Sequence, residues 1–156
     1  MQTEPDQRFV TRRLALATAV TLAGSVITVL VVRAIAVTVV TVPAAFTPLK
    51  LGSVVMLTVL GVLAAAGACG LLNTVARQPI RTFWRVAPVA LVLSFVPDIA
   101  IWAGHAYSHT ASASTVLPLM VMHVAVAGLC LTLLPGLGAE HAHRGATPIV
   151  PTPAAS

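Results

Sequence analysis

Four long runs of apolar residues, almost free of charge, set the strongest constraint on how this chain can fold. A helix that crosses the hydrocarbon core of a bilayer needs about 20 apolar residues at 1.5 Å per residue. The runs have that length and are continuous rather than alternating, which favours helices over strands. The four predicted spans cover about residues 14–42, 51–72, 86–104 and 115–137. We therefore predict an all-α fold, an integral membrane four-helix bundle over residues 14–137.

The composition agrees with this prediction and excludes an ordinary soluble domain. Hydrophobic residues make up 58% of the chain and charged residues 8%, whereas soluble domains contain about 25% charged residues. The net charge of +5 could indicate nucleic-acid binding in a soluble protein. Here the basic residues lie at the ends of apolar runs, where they contact lipid headgroups. We therefore expect a bilayer with anionic headgroups as the partner, and no nucleic acid.

The distribution of basic residues predicts the orientation of the bundle. Two of the nine lie on one side, Arg33 and Lys50, and seven lie on the other. The seven are Arg8, Arg12, Arg13, Arg77, Arg81, Arg85 and Arg144. Because cytoplasmic segments carry the excess of positive charge, both termini are predicted to be cytoplasmic and the protein to cross the membrane several times. Arg77, Arg81 and Arg85, with Trp84, are predicted to anchor the bundle to lipid.

The two ends of the chain are predicted to lie outside the bundle. Residues 1–13 form a cytoplasmic N-terminal segment, and residues 138–156, rich in Pro, Ala and Thr, a disordered cytoplasmic tail. The pair Arg12-Arg13 before an apolar run is also typical of an export signal. That run is longer than the 7–15 apolar residues of such signals, so a cytoplasmic anchor is the simpler interpretation.

Asp98 is the strongest candidate for a functional residue, because it lies inside the third span. A carboxylate near the bilayer centre costs about 2.5–3.5 kcal/mol, so it normally has a partner. Counting 1.5 Å per residue places His123, on the antiparallel fourth span, at a similar depth. Arg33 could also reach inward, and Ser94 completes the predicted polar cluster. We expect Arg33 to pair with Asp98, with His123 as the alternative partner.

Other residues carry weaker signals. Pro97 removes the hydrogen bond to the carbonyl of Leu93, which predicts a helix kink beside Asp98. His105 and His109, between the third and fourth spans, could bind a metal, but their spacing is not specific. The sequence contains no CxxC pair, nucleophile motif or glycine-rich phosphate loop. We therefore predict no cofactor and no metal.

Five short motifs occur in an order that is similar to a bacterial family. They are residues 46–49 (FTPL), 52–55 (GSVV), 81–83 (RTF), 94–98 (SFVPD) and 120–123 (MVMH). Together they resemble an uncharacterised family of small four-span membrane proteins, a domain of unknown function, over about residues 12–137. The most specific pieces are Pro97-Asp98 and Met122-His123. The resemblance implies a four-helix inner-membrane protein and supplies no established activity.

The sequence leaves two functions open. The first is a structural or accessory subunit without its own catalysis, acting as a homo-oligomer or with a membrane partner subunit. Four short spans favour it, because they leave little room for an enclosed transport path. The alternative is a proton- or ion-coupled transporter of several copies that uses Asp98 and His123. An enzyme is less favoured, because no catalytic set can be assembled beyond that pair.

Overall fold

The fold is a set of four long α-helices. The computed structural model describes residues 9–41, 46–103 and 113–139. The helices are α1 (Thr11–Val39), α2 (Leu51–Val75), α3 (Pro79–Trp102) and α4 (Ala113–Gly138), and a short 3-10 helix, Thr47–Leu49, precedes α2. Within these ranges the β-structure is a single isolated bridge between Phe9 and Ala139. The predicted all-α fold with four helices is confirmed.

The helices pack as an antiparallel bundle. α1 packs most extensively against α4 and next against α2, and α3 packs against the same two helices. α1 and α3 therefore occupy opposite corners of the bundle. We call the end that holds the start of α1, the α2–α3 connection and the end of α4 the terminal end. The opposite end, with the 3-10 helix and the start of α4, is the distal end.

The third helix starts earlier than the sequence predicts. α3 begins at Pro79, seven residues before the expected start of the span at Val86. Proline is suited to the first helical position, because its missing N–H would have no partner there in any helix. Pro88 lies well inside the helix, which continues through Pro97 to Trp102. The connection between α2 and α3 is therefore shorter than the sequence predicts.

All four helices are long and apolar enough, by length and composition, to cross a membrane. The mean hydropathy of the most apolar window is 2.3 in α1 and α2, 2.2 in α4 and 1.6 in α3. Their outer faces carry large exposed apolar side chains, including Leu16, Leu60, Val92 and Val124. In water such faces would be unstable, whereas lipid accommodates them. The chain is therefore a small membrane protein with four candidate spans.

The apolar interior is divided into two clusters along the bundle axis. The terminal cluster contains Phe9, Ala17, Val62, Cys69, Phe83, Cys130 and Leu134. The distal cluster contains Val29, Phe46, Leu49, Val54, Ile101, Val116, Leu119 and Met122. Both cysteines are free and buried, which agrees with a packing role. The gap between the two clusters is where the polar side chains described below are buried.

Backbone hydrogen bonds and one amide side chain close the terminal end. Asn73 Oδ1 accepts a hydrogen bond from the Phe9 N–H at 3.0 Å, and Asn73 Nδ2 donates to the Phe9 carbonyl at 3.1 Å. The Val10 N–H donates to the Gly138 carbonyl at 3.0 Å. A Cβ at Gly138 would lie 3.3 Å from the Phe9 ring, so glycine permits this close approach. We call Phe9, Val10, Asn73 and Gly138 the terminal clamp.

Candidate functional site: a buried polar layer

Asp98 and His123 come together between α3 and α4. The Nδ1 atom of His123 lies 3.2 Å from Oδ2 of Asp98. Asp98 is 4% exposed, whereas the His123 side chain is 35% exposed. The histidine therefore lies between the buried carboxyl group and the surface of the bundle.

A second contact determines where the imidazole carries its proton. His123 Nδ1 is 2.8 Å from the carbonyl oxygen of Leu119, one turn earlier on α4. A carbonyl only accepts hydrogen bonds, so Nδ1 must carry a hydrogen and donate it. This shorter contact engages the proton, and Asp98 Oδ2 is left beside the ring without a hydrogen bond of its own. Phe95 packs edge-on against the imidazole, with ring centroids 6.1 Å apart, which fixes the ring plane.

The other two members of the predicted cluster have different partners. Arg33 Nε donates to the carbonyl of Leu49 at 2.9 Å, so the arginine holds the 3-10 helix at the distal end. Ser94 donates to the carbonyl of Leu91 on its own helix at 2.7 Å. The expectation that Arg33 pairs with Asp98 is therefore wrong for this structure. The physical reason is that α1 and α3 occupy opposite corners of the bundle, while a carbonyl at the end of a 3-10 helix needs a donor.

Helix register places one polar residue of each helix at the same level. Two contacts join the α1 segment to the α2 segment, Phe9–Asn73 just before α1 and Arg33–Leu49 just before α2, and they are separated by 24 residues in both segments. Because the two intervals are equal, the positions on α1 and α2 stay matched in height along the bundle axis. Ser25 therefore lies within about one residue, or 1.5 Å, of the height of Thr58. On α1 and α4, Ser25 and His123 are each 15 residues from the Val10–Gly138 contact.

We call Thr21, Ser25, Thr58, Asp98 and His123 the polar layer. Four of the five buried polar residues in the described ranges belong to it, the fifth being Thr115 near the start of α4. The layer lies between Ala17 of the terminal cluster and Val29 of the distal cluster along α1, and between Val62 and Val54 along α2. Apolar packing therefore separates the layer from both ends of the bundle.

Three polar atoms of the layer have no hydrogen-bond partner among the described residues: Thr21 Oγ1, Ser25 Oγ and Asp98 Oδ2. Thr21 and Ser25 are fully buried, at 0% exposure. Thr58 differs, because its hydroxyl donates to the Val54 carbonyl at 2.8 Å. Unpaired buried polar groups are rare in native proteins, so these three atoms mark the layer as a candidate site.

The remaining predicted residues lie away from the layer. Arg77, Arg81, Arg85 and Trp84 are exposed at the terminal end, and Arg81 donates to the Gln78 side chain at 3.3 Å. Pro97 lies within α3, which continues past it, and the kink stays a prediction. The candidate metal ligands His105 and His109, the N-terminal segment before Phe9 and the tail after Ala139 lie outside the described residues.

Sequence reasoning does not place Thr21, Ser25 or Thr58 in the candidate site, and it does not identify Asn73 of the terminal clamp. Thr58 is one hydroxyl in a long apolar run, and nothing in its neighbours distinguishes it. Asn73 is the amide residue that follows the apolar part of the second span, which is the signal that could have identified it. Its partner is the Phe9 backbone, 64 residues away, and a single sequence does not indicate that pairing.

The chemistry available to the layer is that of hydrogen bonds and protons. Within the described ranges no group of three or more His, Cys, Asp and Glu side chains is arranged to hold a metal ion. Asp98 can accept two hydrogen bonds or carry a proton, and His123 can exchange a proton at Nε2 while Nδ1 donates to Leu119. The layer can therefore bind small hydrogen-bonding groups between helices.

Comparison with known proteins identifies the family. The chain matches the Family of unknown function (DUF6069) over residues 5–140, and it belongs to that family. No curated protein and no solved structure matches the chain. The chain is thus a four-helix membrane protein of a family whose activity is not established.

Proposed function

We propose that the protein is a structural or accessory subunit of a bacterial inner membrane, without catalysis of its own. One observation carries the proposal: in the described ranges, four of the five buried polar side chains belong to the polar layer, with apolar clusters on both sides. A transporter needs polar or water-lined access from its site to each side of the membrane. A polar layer enclosed by apolar packing instead fixes the register of four helices.

The proposed orientation places the terminal end in the cytoplasm. Arg12, Arg13 and the exposed Arg77, Arg81 and Arg85 lie at this end, and Trp84 is exposed among them. Such a belt of basic and aromatic side chains is typical of the cytoplasmic interface, where it meets anionic headgroups. At the distal end the basic residues are Lys50 and Arg33, and Arg33 is engaged by Leu49.

Cysteine labelling tests the orientation with a matched pair of positions. Gln78 and Lys50 are both exposed, at opposite ends of the bundle, while Cys69 and Cys130 are buried and should react slowly. In intact cells, a membrane-impermeant maleimide should label Lys50→Cys and not Gln78→Cys. Inverted vesicles should give the reverse pattern, and the wild-type chain provides the background. Labelling of Gln78→Cys in intact cells would overturn the orientation.

Two measurements test the accessory role. In proteoliposomes under a proton or Na⁺ gradient, the full-length protein should give no flux above that of protein-free vesicles. Flux that disappears with Asp98→Asn, and not with the lipid-facing control Val124→Leu, would overturn the proposal. Native mass spectrometry of the complex extracted from its own membrane should show a second copy or a stoichiometric partner. A single chain under all extraction conditions would contradict a subunit role.

The second candidate function is a proton- or ion-coupled transporter built on Asp98 and His123. It is favoured by the 3.2 Å contact between a buried carboxyl group and a partly exposed imidazole, because such pairs exchange protons in transporters. The flux experiment distinguishes the two functions. The transporter requires flux in the wild type and its loss in both Asp98→Asn and His123→Leu.

A further inference from the structure

We propose that the polar layer binds ordered water, which links Asp98 on α3 to Thr21 and Ser25 on α1. The three atoms in the layer that have no hydrogen-bond partner among the described residues belong to these side chains, and Asp98 Oδ2 has only the 3.2 Å contact with His123 Nδ1 beside it. All three residues are at least nine-tenths buried. They form one group, because the helix register places them within about one helical turn of the same height along the bundle axis.

The energetics require a partner for these groups. Burying a hydroxyl or carboxyl group without a hydrogen bond is costly, and the cost is greater where no bulk water is near. The buried Thr58 avoids this cost by donating to the Val54 carbonyl of its own helix at 2.8 Å. The part-buried Thr18 and Thr28 donate in the same way, at 2.7 and 2.8 Å. Thr21 and Ser25 do not make that bond, so their hydroxyl groups are available to a ligand in the interior.

The ligand must both donate and accept hydrogen bonds. A hydroxyl group has one hydrogen to donate and lone pairs to accept, and Asp98 Oδ2 accepts. Water meets both needs and typically makes about three hydrogen bonds to buried polar groups. Because α1 and α3 occupy opposite corners of the bundle, a direct bond from Ser25 to Asp98 is disfavoured and a bridge is needed.

A sodium ion is the competing ligand, since all three atoms without a hydrogen-bond partner are oxygens. Two features oppose it. A cation uses lone pairs and leaves the hydroxyl hydrogens of Thr21 and Ser25 unpaired. In addition, the N–H of His123 lies next to Asp98 Oδ2, and a positively polarised hydrogen repels a cation. The layer therefore suits neutral water better than sodium.

Water-edited solid-state NMR on the full chain in bilayers tests the proposal directly. Magnetisation from water should reach the side chains of Thr21 and Ser25 despite their complete burial, and in the same time range as Gln78, which is exposed at the terminal end. Val62 and Val29, at 0% and 1% exposure in the flanking clusters, are matched controls that should receive little transfer. Transfer to Thr21 and Ser25 no faster than to the two valines would overturn the proposal.

Small variants distinguish bound water from a bound cation. Thr21→Val and Ser25→Ala each remove one hydroxyl with little change in volume, and each should reduce water transfer at the remaining partner. The melting temperature in detergent should be the same in NaCl as in choline chloride. A rise specific to Na⁺ that is lost with Asp98→Asn would assign the layer to a cation and overturn the water assignment.

Discussion

The polar layer and the terminal clamp handle buried polar groups in opposite ways. In the clamp, both polar atoms of the Asn73 amide pair with the Phe9 backbone, at 3.0 and 3.1 Å. In the layer, Asp98 Oδ2 and two hydroxyl groups have no hydrogen-bond partner in the described part of the chain. The clamp lies at an end of the bundle, where backbone groups need partners in any case. The layer lies between apolar clusters, where side chains without polar atoms would pack at no such cost.

This difference separates a structural feature from a candidate functional one. Residues that only hold helices together are free to satisfy each other completely, as Asn73 and Phe9 do. A layer whose polar atoms have no hydrogen-bond partner among the described residues is better suited to binding something else between its helices. The comparison is testable, because it predicts which contacts stabilise the fold and which pairs of residues are coupled.

The largest effect is expected at His123. His123→Leu leaves the buried Asp98 carboxyl group without its imidazole neighbour. Because the imidazole is 35% exposed, the expected loss is about 3 kcal/mol, the lower end of the range for breaking a buried pair. The double variant His123→Leu with Asp98→Leu should be more stable than the sum of the single effects indicates, because no polar group remains stranded. Unfolding by SDS titration in mixed micelles measures both. The exposed neighbour Val124→Leu should be near neutral, and an equal loss there would contradict a specific role of the pair.

A smaller loss is expected at the clamp. Asn73→Leu removes two hydrogen bonds to the Phe9 backbone, and at about 1 kcal/mol for each net bond the chain should lose about 2 kcal/mol. The adjacent, exposed Thr74→Ala should change stability by less than about 0.5 kcal/mol, because its hydroxyl bonds only within its own helix. Unlike the variants of the layer, Asn73→Leu should leave water transfer to Ser25 unchanged. A coupled loss at Ser25 would mean that the two regions are not independent.

The two substitutions at Asp98 sharpen the comparison further. Asp98→Asn keeps the size and a hydrogen-bonding oxygen, whereas Asp98→Leu removes both. If the layer holds the helices through hydrogen bonds, Asn should be tolerated better than Leu by about 1 kcal/mol. Thermal stability and yield in detergent measure the difference. Equal behaviour of Asp98→Asn and Asp98→Leu, with both as stable as the wild type, would remove any structural role from the layer.

The smallest effect is a predicted absence of coupling between Arg33 and Asp98. Because Arg33 donates to Leu49, the two single alanine variants should add to within about 0.5 kcal/mol in a double-mutant cycle. Arg33→Ala should act at the distal end, through the lost bond to the 3-10 helix. A coupling comparable to that of Asp98 with His123 would mean that the arginine turns inward in the membrane.

The sequence was informative about features that depend only on which residues follow one another along the chain. The four helices follow from run length, and Asp98 follows from its isolation in an apolar span. Depth counting also placed His123 opposite Asp98, because the two spans are neighbours joined by a short connection. The same counting gave no means of choosing between His123 and Arg33, since depth says nothing about which helices share a face. The role of Arg33 became evident only from its bond to Leu49.

What the sequence by itself determined is the class of structure: an all-α membrane protein of four helices with one buried acid. Hydrophobicity determines this class, because it is summed along each run of the chain and does not depend on which residues are close in the folded structure. The tertiary structure alone decided which polar groups meet. It placed Ser25 and Thr58 at the level of Asp98 and His123, paired Asn73 with Phe9, and set α1 and α3 at opposite corners. The physical reason is that hydrogen bonds act over about 3 Å, so they depend on helix packing and register.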